Sequence, residues 1–526
     1  MNISLVPKDQ CYFLSGKKAH FYRFCDTTFR DKWTGFWIMD KKFFDYFAFQ
    51  IDDEWLSKDN IKNFEFHESE AKSIYETHLG KITEIVSMTD GEEIKLNLKN
   101  PKAKIIFEIG INMRNKSENW HNRSYEMKFK NSKEFLFLSS DKLYVRFNKN
   151  AKIIDTFYKN HMNNQRCMVV KFELESKNIK VRIFREKGAP IKRKYNYKND
   201  NLNLAALSLN MLLKENKNLE LYAGFPWFLE MWGRDLGWAL PAMIDLKWYS
   251  ESKRLLENIL NVSKDNVPNF LNPPDYFSAD ATPLIIIALK YYVDATKDFE
   301  FIQKYKKKLE TFLNWYRNHR DENGFFKNDM ENFYDRNRGS TWMDTLHRPK
   351  AVEVQALWLK ALKDMKKMNI DVDKDMKLIE NSFEKYWNGN YYIDNFEDRN
   401  SITPNMLVPV ILGVSKHSKD VLKIVEEKLS TPYGILTLPK DDPKFSFNKY
   451  HQGQIWSLTT GWMAIAEFMY GTKGKYYLDI LCKSQKKCLP GVGETFNDMG
   501  NILGCKIQAW GSAMIIRAMK EFENKI

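Results

Sequence analysis

The hydrophobic period of this chain changes once, near residue 200, and that change constrains the fold more than any other feature of the sequence. From about residue 10 to residue 186, apolar and polar residues alternate in short segments such as 81–86, 94–98, 104–109 and 142–147. Period-two alternation is typical of strands with one buried face, and the intervening Asn, Asp, Gly and Lys are typical of turns. The region predicts an antiparallel β-sandwich, with room for a short helix near 69–76.

After residue 200, apolar residues recur at helical spacing in about twelve segments. They run roughly over 201–215, 234–248, 250–264, 279–295, 298–319, 350–368, 374–387, 404–415, 418–430, 452–470, 473–488 and 506–524. The connections are long after each odd segment and short after each even one, as in a toroid of six helical hairpins. We therefore predict an all-α (α/α)6 toroid over 201–526, preceded by the sandwich over 1–186 and a polar, basic linker over 187–200.

In such a barrel all the long connections emerge at the same end. They also hold the concentrated Trp, Gly, Asp and His of this half of the chain, in 224–235, 268–280, 341–348, 398–405, 441–453 and 490–505. Loops at one opening of a rigid scaffold are the usual place for a binding or catalytic site. The active site is therefore expected at the opening that these loops surround.

Charge argues against a nucleic-acid partner. The chain has 82 Lys and Arg against 68 Asp and Glu, a formal net charge of +14. The basic residues are interleaved with acidic ones, and the long loops are rich in Trp, Asp and Glu, which is wrong for a groove that follows phosphates. We interpret the excess charge as a solubilising surface.

The six cysteines, at positions 11, 25, 167, 482, 488 and 505, form no C-x-x-C pair and no zinc-ligand spacing with histidine. We expect free thiols and neither a metal nor another cofactor. The N-terminus lacks a signal-peptide pattern, and no apolar run reaches the ~20 residues of a membrane helix. The sequence therefore predicts a cytoplasmic protein with no membrane partner.

An aromatic content of 14%, with 15 Trp, makes sugars a candidate substrate, because Trp and Tyr stack well on sugar faces. Hydrolysis of a glycosidic bond would require one carboxylic acid that protonates the leaving oxygen and one carboxylate that activates water or attacks directly. The two groups should come from different loops that face one cavity. The candidates beside the long loops are Asp235, Asp280, Asp344, Glu353 and Glu494.

Local sequence separates two of these candidates. Asp344 follows Thr-Trp-Met, an apolar setting that would raise its pKa and keep a proton for the leaving group. Glu494 lies in the glycine-rich stretch Gly-Val-Gly-Glu-Thr, which we expect to be hydrated, so that the carboxylate stays ionised beside a water molecule. Asp344 therefore suits a general acid and Glu494 a general base, although loop carboxylates are often only surface or capping groups.

Charged and aromatic side chains near helix starts are candidates for binding sugar. Arg234 and Asp235 could hold hydroxyl groups through charge-assisted hydrogen bonds, and Trp227 could stack on a sugar face. Asp235 could equally be a helix N-terminal cap, and His451 a structural histidine. The residues alone leave these alternatives open.

Taken in order, these stretches resemble the amylo-1,6-glucosidase family, the glucosidase part of glycogen debranching enzymes. The matching stretches are AGFPWF and WGRD within 223–235, DAT at 280–282, TWMD at 341–344, VEVQALW at 352–358, TPN at 403–405, YHQGQIW at 450–456, GETF at 493–496 and QAW at 508–510. The resemblance implies an (α/α)6 toroid and an inverting hydrolase that frees glucose from 1,6-linked branch stubs.

Carried over position by position, the resemblance implies that Asp344 is the general acid and Glu494 the general base. Substrate contacts are expected from Trp227, Trp232, Arg234, Asp235, Asp280, Trp342, Arg348, Glu353, His451, Gln452, Trp456 and Gln508. The expected partners are glycogen or branched α-glucan oligosaccharides, with a separate glucanotransferase acting upstream.

Two other functions fit the same residues. A glucoamylase-like exo-1,4-α-glucosidase or a trehalase would use the same fold and acid pair. A non-catalytic glucan-binding protein would need neither Asp344 nor Glu494, so the presence of both disfavours it.

Overall fold

The computed structural model describes residues 3–7, 9–100, 103–116, 125–160, 166–188, 197, 199–328 and 339–525. The chain divides into two compact units. The first comprises Met1–Asn203, Lys214–Asn216 and Lys486–Pro490, and the second comprises Leu204–Leu213, Lys217–Gln485 and Gly491–Ile526. Most of the linker predicted over 187–200 lies outside the described residues.

The first unit is built from strands. They are β1 (Ile3–Leu5), β2 (Cys11–Ser15), β3 (Ala19–Phe24), β4 (Gly35–Ile38), β5 (Lys41–Ile51), β6 (Glu54–Trp55), β7 (Ile61–Phe66), β8 (Glu70–Thr77), β9 (Gly80–Met88), β10 (Glu92–Lys99), β11 (Lys104–Asn115), β12 (Glu126–Asn131), β13 (Glu134–Leu138), β14 (Lys142–Phe147), β15 (Lys152–Asn160), β16 (Arg166–Glu175) and β17 (Asn178–Glu186).

These strands form two sheets. The first has the order β1-β7-β8-β9-β10-β17-β14-β13-β12, and the second has the order β15-β16-β11-β5-β4-β3-β2. In both sheets these neighbours pair antiparallel, for example Leu96 with Val181 and Phe107 with Phe172. The prediction of a short helix near 69–76 is wrong. Strand β8 occupies this segment and pairs along its length with β9.

Aromatic contacts join the two sheets into a sandwich. Phe107 and Phe172 of one sheet meet Phe147 of the other at ring-centroid distances of 5.7 and 5.0 Å. The buried Arg23 guanidinium also crosses the interior, with Nη1 2.6 Å from Oε1 of Glu84. Large rings that face inward from both sheets supply most of the apolar area that such a core needs.

A disulfide contradicts the prediction of free thiols. Cys11 in β2 is bonded to Cys488 in the short strand β26 (Cys488–Leu489), which pairs parallel with β2 inside the first unit. The two cysteines are separated by 477 residues, so no local spacing could reveal the pair. The other four cysteines are buried thiols.

The second unit is mainly helical. Its helices are α1 (Asp200–Leu212), which begins in the first unit, α2 (Gly233–Asp245), α3 (Tyr249–Val262), α4 (Ala281–Thr296), α5 (Phe299–His319), α6 (Val352–Lys367), α7 (Asp373–Ser382), α8 (Leu407–Ile411), α9 (Ser418–Leu429), α10 (Ser457–Tyr470), α11 (Gly474–Gln485) and α12 (Ala509–Lys525). Helices α2, α4, α6, α8, α10 and α12 each pack on the next, and α12 packs on α2. In the described parts of the chain, no helix is long and apolar enough to cross a membrane.

Local signals set some of the helix ends. Lys297 ends α4 in a left-handed conformation with φ of 60°, and Asp298 then caps α5 by accepting a hydrogen bond from the backbone N–H of Phe301. A left-handed residue followed by an aspartate cap turns the chain within two residues. This is why the connection between α4 and α5 is so short.

The prediction of an all-α (α/α)6 toroid is wrong, because the long connections of this unit contain β-sheets. The remaining strands are β18 (Leu213–Glu215), β19 (Leu219–Phe225), β20 (Phe228–Met231), β21 (Phe270–Leu271), β22 (Pro274–Asp275), β23 (Ser430–Thr431), β24 (Gly434–Leu436), β25 (Ile455–Trp456), β27 (Thr495–Phe496) and β28 (Ile507–Gln508). Strands of two or three residues are too short to show a period-two signal. The helical spacing includes β18, β25 and β28 in the predicted helices 201–215, 452–470 and 506–524, and it leaves β20, β21, β22 and β27 in the predicted long connections.

Replacing Phe107 by Ala should destabilise the first unit by about 3 to 5 kcal/mol, because it leaves a cavity at the contact between the sheets. Phe107 is fully buried, whereas Phe129, on an edge strand, is 64% exposed and serves as the matched control. Urea unfolding, followed by hydrogen exchange of peptides from β11 and β16, measures the loss. Equal losses for Phe107→Ala and Phe129→Ala would contradict a packed interface at Phe107.

Candidate active site

A cavity of about 190 Å³ in the second unit collects most of the candidate residues. Both proposed catalytic carboxylates line it, together with side chains from four different connections. Its walls are Ala223, Phe228, Trp232, Arg234, Asp235, Trp342, Asp344, Tyr450, His451, Trp456, Glu494, Gln508 and Trp510.

The site is assembled where the even-numbered helices begin. Arg234 and Asp235 lie in the first turn of α2, and Trp456 and Gln508 immediately precede α10 and α12. Short strands fix these positions, since β25 pairs with β27 and β28 pairs with β19. The backbone therefore holds the pocket residues at helix N-termini, where the helix dipole favours partly negative ligand atoms.

Glu494 is buried, with 1% of its surface exposed. The hydroxyl group of Tyr450 donates a hydrogen bond to Oε1, and the backbone N–H of Cys505 donates one of 2.9 Å to Oε2. Burial, together with the charge of Asp344, raises the pKa of Glu494 from 4.5 to about 7. The two hydrogen bonds oppose this shift. Glu494 can therefore both release and accept a proton near neutral pH.

The environments expected for the two carboxylates are reversed in the structure. Asp344 is half-buried in a turn, whereas Glu494 is sealed from solvent. Glycines around Glu494 allow close packing rather than hydration: a Cβ added at Gly493 would lie 2.8 Å from Ile502, and one at Gly504 would lie 2.6 Å from Oε2 of Glu494. Burial alone therefore does not assign the acid and base roles.

Arg234 and Asp235 are adjacent in sequence but have different partners. Nε of Arg234 lies 2.7 Å from Oδ2 of Asp280, which also accepts a hydrogen bond of 2.6 Å at Oδ1 from Ser278. Asp235 accepts a hydrogen bond of 2.8 Å from Nε2 of Gln508. Burial raises the pKa of Asp235 to about 8, although Arg234 opposes the shift. The alternative role of Asp235 as an N-terminal cap is not observed, because α2 has no side-chain cap.

Arg348 lies beside the cavity and holds the segment of Asp344 in place. Its guanidinium makes two hydrogen bonds to Glu353, of 2.6 and 2.7 Å, and two to Asp394, also of 2.6 and 2.7 Å. Nη1 also donates to Oγ1 of Thr341, at 3.2 Å. Arg348, Glu353 and Asp394 are all buried, so this cation is neutralised by protein carboxylates.

Several polar atoms on the cavity wall have no hydrogen-bond partner among the described residues. They are Nε1 of Trp232, Nε2 of His451, Oε1 of Gln508 and Nε1 of Trp510. Burial and the nearby arginines lower the pKa of His451 well below its usual value, so the ring is neutral. Buried polar groups without partners are costly, and a hydroxyl-rich ligand in this cavity would satisfy them.

Nine of the fourteen predicted site residues line this cavity. Five predicted contacts lie outside the lining of the 190 Å³ cavity: Trp227, Asp280, Arg348, Glu353 and Gln452. Asp280, Arg348 and Glu353 act instead as ion-pair partners, and Arg348 and Gln452 line a neighbouring cavity. Tyr450 and Trp510 were missed, although both stand in the quoted stretches YHQGQIW and QAW.

A family model described as amylo-alpha-1,6-glucosidase matches residues 204–517, more than half of the 526 residues. The chain belongs to the amylo-alpha-1,6-glucosidase family. All thirteen lining residues of the cavity fall within the matched region. Membership of this family makes the protein a glycoside hydrolase.

Two solved structures are similar to this chain to different extents. A bacterial glucoamylase in complex with acarbose is similar at a TM-score of 0.70 with 13% identity, over 99% of this chain and 94% of the glucoamylase chain. A GH63 mannosylglycerate hydrolase from Thermus thermophilus is similar at a TM-score of 0.48 with 12% identity, over 60% of this chain and 99% of its own. The comparison with curated proteins found no match to this chain.

Among the residues that the structure describes, no group of three or more His, Cys, Asp or Glu is arranged to hold a metal ion. Within the pocket, Glu494 accepts a hydrogen bond from Tyr450, and Asp235 accepts one from Gln508.

The raised pKa of Glu494 predicts that Glu494→Gln stabilises the folded protein above neutral pH. A carboxyl group with a raised folded pKa contributes stability that is fully present below pH 4.5 and is lost as pH rises through about 7. Gln has no such loss, so at pH 8 the variant should be more stable than wild type by on the order of 3 kcal/mol. Thermal unfolding between pH 4 and pH 8 measures this difference.

Asp373→Asn is the control, because the pKa of Asp373 is shifted in the direction opposite to that of Glu494. Asp373 is exposed, and its hydrogen bond with Lys366 lowers its pKa. Neutralising it should give no gain in stability at pH 8. If Glu494→Gln were no more stable than wild type at pH 8, Glu494 would not be a buried carboxyl group with a raised pKa.

Proposed function

We propose that this glycoside hydrolase removes single glucosyl units from 1,6-linked branch points of glycogen-like glucans, with inversion at the anomeric carbon. The observation that carries the proposal is one cavity, within the family-matched region, that is lined by both Asp344 and Glu494 and by buried polar atoms without partners among the described residues. These are the groups that a glycosidase requires around the scissile bond.

In this mechanism Asp344 donates a proton to the glycosidic oxygen as the bond from that oxygen to C1 breaks. A water molecule attacks C1 from the opposite face, and Glu494 takes its proton. Each turnover leaves Asp344 deprotonated and Glu494 protonated, and exchange with solvent resets both. The Tyr450 hydroxyl and the Cys505 N–H, which donate to the two oxygens of Glu494, orient the carboxylate.

The size of the cavity supports exo action. At about 190 Å³ it is below the range of roughly 300 to 1,000 Å³ typical of pockets for larger ligands. One terminal sugar ring could enter, where Trp232, Trp456 and Trp510 supply apolar faces and the indole N–H groups of Trp232 and Trp510 supply donors. Arg234 would bind the hydroxyl groups of the sugar from one side. The hydrogen bond to Asp280 holds the Arg234 guanidinium in place.

The proposed substrate has consequences for partners and location. A stub of one glucose on a 1,6-linkage is the product of branch shortening, so a separate glucanotransferase acting upstream would supply it. A glycogen substrate would also place the enzyme in the cytoplasm. Both statements rest on the proposed activity.

The first experiment incubates the purified protein with phosphorylase-limit dextrin, isomaltose-type and maltose-type oligosaccharides, and trehalose. Proton NMR follows the released glucose and its anomer with time. We expect β-glucose to appear first, from the 1,6-linked substrates only. Initial α-glucose would contradict inversion, and no glucose from any substrate would favour a non-catalytic glucan-binding protein.

A glucoamylase-like exo-1,4-α-glucosidase is the second candidate. It is favoured by the similarity in fold to a bacterial glucoamylase over 99% of this chain. The same NMR experiment separates the two, because this candidate releases glucose from maltose-type oligosaccharides. Glucose from trehalose alone would instead identify a trehalase.

The roles of the two carboxylates predict different losses on two substrates. Asp344→Asn and Glu494→Gln should each lower kcat on a 1,6-linked substrate about 10²- to 10⁴-fold, because each removes one proton transfer from the transition state. On α-glucosyl fluoride, whose leaving group needs no proton, Asp344→Asn should recover most of its rate and Glu494→Gln should not. Circular dichroism checks that both variants remain folded. If Glu494→Gln rather than Asp344→Asn recovered its rate on α-glucosyl fluoride, the acid and base roles of the two residues would be exchanged.

A further inference from the structure

The first unit contains a cavity of about 570 Å³ that the proposed hydrolysis does not use. It lies beside the end of β10, the residues that follow β14 and the turn that joins β16 to β17. All the residues that line it belong to the first unit. The volume falls within the range of roughly 300 to 1,000 Å³ typical of ligand pockets, so a small organic molecule fits.

The lining of this cavity is entirely polar, and all its charge is positive. Four of the lining residues are lysines, and the others are three asparagines and one serine. No carboxylate is among the described residues of its wall. The lysines are Lys99, Lys149, Lys177 and Lys180. Four ammonium groups around one concave surface favour an anionic ligand.

These four lysines differ from other exposed lysines of the same unit. Lys104 pairs with Glu173 at 2.5 Å, and Lys128 pairs with Glu126 at 3.2 Å. Within the part of the chain that the structure describes, none of the four cavity lysines forms an ion pair. A surface that serves only solubility has charges of both signs interspersed. The positive charge at this cavity is therefore not explained by solubility alone.

Hydrogen bonds of Asn148 hold the strands that carry the lysines. Its Oδ1 accepts a hydrogen bond of 2.9 Å from the backbone N–H of Lys180, and its Nδ2 donates one of 3.1 Å to the carbonyl of Asn178. On the other side of β17, Asn97 pairs with Lys180 and Lys99 pairs with Asn178. The sheet thus fixes the backbone, while the lysine side chains are exposed and can contact a ligand.

A buried amide oxygen is a second, independent indication of a polar ligand. Asn97 lines the cavity, and its Oδ1 is buried without a hydrogen-bond partner among the described residues. A buried polar atom without a partner is costly. An asparagine side chain presents its oxygen to a ligand hydroxyl or, after a half-turn, its NH2 group to a phosphate oxygen. A phosphorylated ligand would satisfy it in either orientation.

The residue types of the lining narrow the class of anion. Lysine binds phosphate as a point charge, and each phosphate monoester carries a charge of about −1.5 to −2 at pH 7. Two phosphate groups therefore balance four lysines. The described lining has no aromatic residue and no arginine, which are the side chains that stack on nucleobases. This composition disfavours a nucleotide or a nucleic acid.

We propose that this cavity binds a small anion that carries two phosphate groups, present either as two monoesters on a sugar or as one pyrophosphate. The lysines bind the phosphate oxygens, and Asn97 binds a further polar atom of the ligand. The site belongs to the first unit, and the inference does not rest on the proposed hydrolysis.

Isothermal titration calorimetry on the full chain tests this site with three probes: fructose 1,6-bisphosphate, inorganic pyrophosphate and inorganic phosphate. We expect one molecule of at least one two-phosphate probe to bind per chain, and the tighter of the two identifies the source of the phosphates. Inorganic phosphate should bind at least about tenfold more weakly, because a single group contacts fewer lysines. Lys99→Gln and Lys180→Gln should each weaken binding about three- to tenfold, since their contacts are charged but exposed.

Two further variants separate a specific site from general positive charge. Asn97→Ala keeps the net charge and should still weaken binding several-fold. Lys128→Gln is the matched control, because it removes the same charge from a lysine that pairs with Glu126 on β12. It should keep the wild-type Kd, and thermal unfolding checks that each variant is folded. Failure of both two-phosphate probes to bind, several bound molecules per chain, or equal losses in Lys180→Gln and Lys128→Gln would overturn the proposal.

Discussion

Backbone pairing between very short strands is the constraint on which the site depends. Trp456 pairs with Thr495, and Gly224 pairs with Gln508. The N–H of Glu494 also donates to the carbonyl of Cys505, at 2.9 Å. These hydrogen bonds fix the backbone on either side of a carboxylate that sits away from solvent. A side chain held in this way has little freedom to turn toward water. Proton transfer by a pre-organised group requires such a fixed position.

A second constraint comes from the Arg348 guanidinium. It ties the segment of Asp344 to Glu353 at the start of α6 and to Asp394 in the next long connection. Asp394 in turn accepts a hydrogen bond from Asn405, whose Oδ1 accepts one of 2.7 Å from the indole of Trp342. Removing one partner of a buried cluster like this one leaves an uncompensated charge and costs roughly 3 to 5 kcal/mol. The network therefore fixes the segment that carries Asp344.

The sequence predicted several residues of the cavity but not the strands around it. The resemblance to the family's motifs implied Trp232, Arg234, Asp235 and His451 as site residues, whereas the residues alone left alternatives open. The strands β25, β27 and β28 were missed, because they have two residues each and give no periodic signal. Motifs of charged and aromatic residues are thus easier to find in a sequence than backbone pairing between very short strands.

Two errors have one physical origin, namely that local sequence does not report long-range contacts. The glycines near Glu494 indicated a hydrated loop, yet they leave room for Ile502 and for the carboxylate itself. Cys11 and Cys488 looked unpaired because 477 residues separate them. In both cases a distant strand or side chain, invisible to any window along the chain, determines the environment.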